Sequence, residues 1–262
     1  MSQLQALIFD VDGTLAETER DAHRTGFNVA FEEAGLDDRW SPELYGELLA
    51  VPGGKERIRH YWTQVKGEPE PDWEWVKGLH ERKAEVYTER IRAGLVPPRP
   101  GILRLLREAR EAGIRLAIAT TTTRAPLMEL LRHTLAPEAP EWFEVIVAGD
   151  EVAAKKPSPD AYTKALADID LPPEACLALE DSRPGVEAAV AAHLPVVVTT
   201  SEYTAEHAFP GALAVFDGLG EPGGEPAHVI RGEVALPAHG AVDLATLTRL
   251  HAAWAGTVAG AD

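Results

Sequence analysis

Short apolar runs recur along the chain at residues 4–9, 114–119, 145–148, 176–179 and 195–198, and each stops at a polar or turn-forming residue. Runs of that length and bounding predict buried strands. Between them lie segments of helical spacing. In 102–109, Ile102, Leu105, Leu106 and Ala109 fall on one face, after Pro100 and Gly101 and before Gly113, which predicts a covering helix. Two further helices are expected at 159–168 and 183–192, the second rich in alanine, whose small side chains suit close packing on a sheet. Strands alternating with helices imply a parallel sheet covered by helices, an α/β class with a Rossmann-like, doubly wound core.

Residues 16–95 break this pattern. They hold four of the six tryptophans (Trp40, Trp62, Trp73, Trp75) and amphipathic stretches such as Phe27, Ala30, Phe31, Ala34, with no strand-like run. The simplest organisation is an α-helical domain at 16–95, inserted after the first strand of a core made of 1–15 and 96–262. Pro97, Pro98 and Pro100 stiffen the return. The tail 201–262 offers Gly-rich loops, a strand near 212–216 and a helix near 244–253, without a legible topology.

Composition narrows the partners. With 262 residues, 45% of them hydrophobic, the chain can bury a full core. A formal charge of -17 and no Lys/Arg run argue against nucleic acid and anionic membranes as partners. Cys176 is the single cysteine, so an intramolecular disulfide and a Cys-rich zinc site are excluded, as suits a reducing compartment. The N-terminal residues do not read as a signal peptide, and no window approaches the roughly 20 apolar residues of a membrane span. A soluble cytoplasmic protein is expected, with monomer or small homo-oligomer left open.

In open α/β sheets ligands bind beyond the carboxyl ends of the strands. There the sequence places Asp10 with Asp12, Thr120, Lys156 beyond the third run and its loop, and Glu180 with Asp181. Closely spaced carboxylates repel unless a cation or proton lies between them. Magnesium, a hard cation with oxygen ligands, would neutralise the cluster and hold a phosphate. Asp10 then suits a nucleophile on phosphorus, and Asp12 an acid and base for the leaving oxygen and the incoming water. The hydroxyl of Thr120 and the ammonium of Lys156 supply the charge stabilisation that phosphoryl transfer needs.

Taken together, FDVDGT (9–14), Thr120, KKPSPD (155–160) and LEDS (179–182) resemble the four ordered motifs of the haloacid dehalogenase-like hydrolase superfamily. The resemblance implies Asp10 as nucleophile and Asp12 as acid/base. It implies Mg2+ held by Asp10, the backbone carbonyl of Asp12, Asp181, and Glu180 directly or through water. It assigns the second motif's hydroxyl to Thr120 and the third motif's lysine to Lys156 rather than Lys155, since KPSPD follows Lys156.

The insertion resembles the helical cap of the branch that includes β-phosphoglucomutase, phosphoglycolate phosphatase and the xylulose bisphosphate phosphatases, with DGTLAETE (12–19) and GGKER (53–57) most like the last. Lys55 and Arg57 are candidates for a distal phosphate, or belong to a solvated loop. Glu17 is a candidate sugar contact or a helix-start carboxylate. His23 resembles the branch's cap histidine, but its spacing from Asp10 is a residue longer than in the mutase. One residue turns a helix face by about 100°, so substrate contact and ordinary helix surface both stand. Thr122 and Arg124 are further candidates for phosphate or sugar.

The expected function is a Mg2+-dependent phosphatase acting on a small phosphorylated metabolite, a sugar phosphate or bisphosphate, through an aspartyl-phosphate. A phosphomutase shares every core residue and differs in whether water or a substrate hydroxyl reaches that intermediate. A receiver-type signalling domain also combines acceptor Asp, magnesium, Thr and Lys, but lacks the inserted domain and has no need of Asp12 as an acid.

Overall fold

The computed structural model describes residues 3–51 and 53–259. Positions 1, 2 and 260–262 of the expected core, and position 52 of the expected helical domain, lie outside the described residues. The chain divides into two compact units, one running to Glu17 and resuming at Pro97, the other from Thr18 to Val96.

In the first unit, seven strands form one sheet: β1 (Ala6–Phe9), β2 (Arg115–Ala119), β3 (Val145–Val147), β4 (Cys176–Glu180), β5 (Val196–Thr199), β6 (Ala214–Phe216) and β7 (Val229–Arg231). Their order is β3-β2-β1-β4-β5-β6-β7. All neighbours are parallel except the last pair, β6 with β7. β1 is buried throughout, which is why its sequence runs apolar without alternation. It lies between β2 and β4 with Phe9 opposite both Ile118 and Leu179. That register levels the strand ends, so the residues just past Phe9, Ala119 and Leu179 emerge at the same edge.

The second unit is helical: α1 (Thr25–Glu33), α2 (Pro42–Leu48), α3 (Gly54–His60) and α4 (Trp73–Arg92). Ser41 caps α2 by accepting from Leu44 N, with Pro42 in the first turn, and Asp72 caps the 20-residue α4. The aromatic residues gather into one centre. Trp40, fully buried, lies 4.5 Å from Phe27, 5.0 Å from Phe31 and 5.4 Å from Tyr61 between ring centroids, and Trp62 meets Trp75 at 4.8 Å. Asn28 fixes the Trp40 backbone by donating to its carbonyl (3.0 Å) and accepting from its amide (2.7 Å). Trp73 differs from the other three tryptophans in being 37% exposed.

The remaining helices belong to the first unit: α5 (Ile102–Glu111), α6 (Arg124–Leu130), α7 (Asp160–Ile169), α8 (Arg183–Ala191) and α9 (Leu244–Ala259). Ala161, Tyr162 and Ala165 of α7 and Val186, Ala188 and Ala189 of α8 pack on Ala6, Ile8, Ala117, Ala119 and Ala178 of the sheet. Alanine on both sides permits that close approach. Leu7, Phe9, Leu116 and Ile118 alternate to the other face, where α5 lies against β2 and α9 against α5. The strands and helices expected in the core are present with ends shifted by a few residues. α6 and β7 were not expected. α6 opens on Arg-Ala-Pro, which reads as loop although proline is tolerated in a first helical turn, and β7 has only three residues. The tail's topology is now explicit, with β6 and β7 ending the sheet and α9 following. No helix among the described residues is long and apolar enough to cross a membrane.

Candidate active site

Asp10 follows β1 directly, its amide donating to Leu179 O at 3.0 Å. Glu180 ends β4 and Asp181 follows it. All three are buried, and each offers a carboxylate oxygen within 4.8 Å of those of the other two. Lys156 arrives from the loop before α7 and donates to Asp10 Oδ1 and Glu180 Oε1, both at 2.6 Å. The Tyr162 hydroxyl donates to the same Glu180 oxygen at 2.7 Å. The other oxygen, Oε2, accepts from the Asp181 amide (3.2 Å) and from Ser182 N (3.4 Å) and Oγ (3.3 Å). Ser182 also caps α8. Glu180 is therefore fixed by its own turn, and a Cβ at Gly185 would lie 2.0 Å from its carboxyl atoms.

Charge is the dominant feature of this cluster. Three buried carboxylates against one ammonium leave two formal negative charges out of water. Burial above all, with Glu180 and Asp12 adding to it against the pull of Lys156, pushes Asp10 up to about 7. Burial, then Asp10 and Glu180, raises Asp181 well above the usual carboxylate range. Burial alone would lower the Lys156 ammonium, but the two carboxylates on it more than reverse that and hold it raised. A divalent cation supplies the two missing charges, and an all-oxygen donor set is what Mg2+ prefers. The residues present fit that ion.

Asp12 lies beside this cluster in the loop after β1. Its Oδ2 accepts from the Thr122 hydroxyl, and Thr122 N donates to Thr120 Oγ1 at 3.2 Å. Asp12, Thr122 and Thr120 at the end of β2 are thus one hydrogen-bonded chain. Gly149 N holds the Thr122 carbonyl at 2.8 Å. Gly13 has φ +82°, and a Cβ there would meet Asp181 Oδ2 at 2.1 Å, so glycine is required for the loop to pass this close.

The other expected residues are placed differently. Glu17 pairs with Arg99 at 3.0 Å. Arg124 is bound to Ile146 O (3.1 Å) and Glu151 (2.9 Å) at the start of α6. In the helical unit, His23 stacks on Tyr87 at 4.4 Å and bonds Lys83 through Nδ1. Lys55 lies 5.7 Å from the Trp73 ring. Arg57 is 9% exposed and donates to Leu48 O (3.0 Å), Val51 O (3.3 Å) and Tyr45 Oη (3.1 Å). The structure therefore joins Lys156 directly to Asp10 and Glu180, and Asp12 to Thr122 and Thr120. Arg124 is not among them. Sequence reasoning missed Tyr162, Ser182 and Arg99. The capping pattern of a strand-to-helix turn marks Ser182; Tyr162 is marked only as an inward position of α7, and Arg99 by nothing local.

Known proteins resemble this chain in sequence and fold. The family model "haloacid dehalogenase-like hydrolase" matches residues 4–193. Protein CbbY of Cupriavidus necator is 47% identical over 251 residues, spanning 95% of this chain and 97% of its own length. A phosphorylated carbohydrates phosphatase of Thermotoga maritima is 30% identical over 190 residues, 72% of this chain and 82% of its own. Among solved structures, a CbbY variant from Rhodobacter sphaeroides in complex with xylulose-(1,5)bisphosphate is 45% identical. It covers 84% of this chain and 97% of its own with a TM-score of 0.73.

Proposed function

This chain belongs to the haloacid dehalogenase-like hydrolase family, and we propose that it is a Mg2+-dependent phosphatase of a sugar bisphosphate, working through an aspartyl-phosphate on Asp10. The observation that carries this reading is the buried cluster of Asp10, Glu180 and Asp181 on a single ammonium, two charges short of neutrality. The relative solved with xylulose-(1,5)bisphosphate supports the substrate class.

Asp10, Glu180, Asp181 and the Asp12 backbone carbonyl would hold the ion. When bound, Mg2+ supplies positive charge to the carboxylates and the transferring phosphoryl oxygens. A carboxylate oxygen of Asp10 forms a bond to phosphorus as the bond to the sugar oxygen breaks. Asp12 gives its proton to that leaving oxygen, so a free sugar hydroxyl departs. Asp12, now a base, takes a proton from water as the water oxygen attacks phosphorus, which releases inorganic phosphate and restores Asp10. The Thr122 hydroxyl on Asp12 orients it for both transfers. Lys156 is placed to offset the phosphoryl charge and to hold Asp10, while Thr120 offers a hydroxyl at the neighbouring strand end. The single, buried Cys176 accords with a reducing compartment, and the cytoplasm is the proposed location.

The test is phosphate release from a panel of sugar mono- and bisphosphates with and without Mg2+, with Asp10→Asn as blank. Mg2+-dependent release, fastest with a bisphosphate and absent in the blank, is expected. Full activity in the blank, or isomerised sugar phosphate in place of free phosphate, contradicts the proposal; the latter outcome identifies a mutase.

A further inference from the structure

Arg99 enters none of the steps above, yet its side chain, 8% exposed, is tied closely into the neighbourhood of the metal carboxylates. The guanidinium donates to the Gly13 carbonyl, to Thr199 O (3.0 Å) and Oγ1 (3.2 Å) at the end of β5, and to the carbonyls of Thr200 (2.5 Å) and Asp217 (3.4 Å). Its Nε pairs with Glu17 at 3.0 Å. Its backbone is held as well, Arg99 N donating to Leu15 O at 2.9 Å and Arg99 O accepting from Ile102 N at 3.1 Å.

Two of these partners adjoin Asp181 from different strand ends. Gly13 lies so near that an added Cβ would stand 2.1 Å from Asp181 Oδ2. Thr200 precedes Ser201, whose hydroxyl lies near enough to the Asp181 carboxyl to draw it down against the effect of burial, while bonding Thr204 Oγ1 at 3.0 Å. One rigid, buried, many-donor group therefore fixes both the loop after β1 and the loop after β5 against the same carboxylate. A guanidinium suits this because its donors fan out in a plane, whereas an ammonium offers one nitrogen and cannot reach Gly13, Thr200 and Glu17 together.

We propose that Arg99 is a positioning residue for the cation site, holding the Gly13 and Ser201 loops so that the Asp181 carboxylate is presented to the ion. This rests on the reading of the acidic cluster as a Mg2+ site. Arg99 acts through the backbone of Gly13 and Thr200, and through them on Asp181. Groups of this kind around a metal ligand characteristically change metal affinity by about 10–100-fold when removed.

The test is Mg2+ binding by isothermal titration calorimetry to the full chain, without substrate, in wild type, Arg99→Met, Arg99→Lys and Ser201→Ala, with circular dichroism to verify folding. Arg99→Met should weaken binding by about tenfold or more, with Arg99→Lys intermediate. Ser201→Ala, which deletes the hydroxyl near Asp181 and its bond to Thr204 Oγ1, should weaken it in the same direction. If Arg99→Met does not fold, Arg99→Lys and Ser201→Ala carry the decision. Folded variants binding Mg2+ within about twofold of wild type, below the usual range for such groups, overturn the inference and leave the proposed function standing. A wild type that binds no Mg2+ overturns both.

Discussion

Two of the cations that the molecule buries, one in each unit, keep different company. Lys156 is held by two carboxylates, Asp10 and Glu180, in a cluster that stays negative after the ammonium is counted. Arg57 is held by two backbone carbonyls and the Tyr45 hydroxyl, neutral acceptors that satisfy those hydrogen bonds but leave its positive charge without a direct counterion. The first arrangement keeps a formal negative charge after pairing, the sign that suits a cation. The second leaves a positive charge, the sign opposite to that of the first, and ties α2 and the segment after it to α3. Burial of a charged residue therefore does not by itself mark a cation site; a negative remainder after pairing does.

The largest effect expected from breaking this contrast is on catalysis. Asp10→Asn should lower turnover by about 10⁴-fold or more, the scale on which loss of a nucleophile is felt, as read in steady-state phosphate release. It also removes one of three mutually repelling carboxylates, so the metal-free variant should be no less stable than wild type in urea. A clear drop in its unfolding midpoint would show that Asp10 helps to hold the fold.

Lys156→Met should be the most damaging to metal-free stability. It leaves Asp10 and Glu180 buried without their cation, and breaking a buried pair in this way costs about 3–5 kcal/mol. Because Mg2+ replaces part of the lost charge, added Mg2+ should recover more stability in this variant than in wild type. Arg57→Met is the counterpart in the helical unit. It leaves neutral acceptors without a donor, at about 1–3 kcal/mol, and Mg2+ should not repair it. Equal Mg2+ rescue of the two variants would collapse the distinction.

The pH dependence of stability sharpens the same point. Asp10 is raised from 3.8 to about 7, so the metal-free folded state holds a proton that the unfolded chain releases at lower pH. That contribution is complete below about 4 and is lost as pH rises towards about 7. Urea unfolding of metal-free protein should therefore show the Asp10 contribution declining across that window, and saturating Mg2+ should flatten the decline. A metal-free slope that Mg2+ leaves unchanged would mean that other groups dominate.

The smallest effect expected is from Tyr162→Phe, which deletes one donor to Glu180 Oε1 while Lys156 remains on it. One such hydrogen bond is worth about 1 kcal/mol. Mg2+ affinity should fall by roughly fivefold, the equivalent of that energy, with the fold intact by circular dichroism.

The strand ends that build this candidate site are legible in the sequence. Asp10, Thr120 and Glu180 are legible because a buried parallel strand announces its own end by a switch from apolar to polar residues. The register Phe9 to Ile118 and Leu179 then brings those ends to one edge. The helical unit showed itself through its tryptophans and its want of strand patterning. Arg99 was not legible, because its importance lies in contacts to Thr199 and Thr200, a hundred positions away, and no local period encodes them. Tyr162 on α7 reads as one more apolar-facing residue until β4 is placed beneath it. β7, three residues long and half exposed, has too little pattern to register.

The most direct measurement is acid-quenched mass spectrometry of the protein during turnover of a sugar bisphosphate with Mg2+. The account predicts a phosphoryl group on the peptide that contains Asp10, formed at least as fast as phosphate is released and absent from Asp10→Asn. Undiminished turnover with no label on that peptide, or a label on another residue, would contradict it.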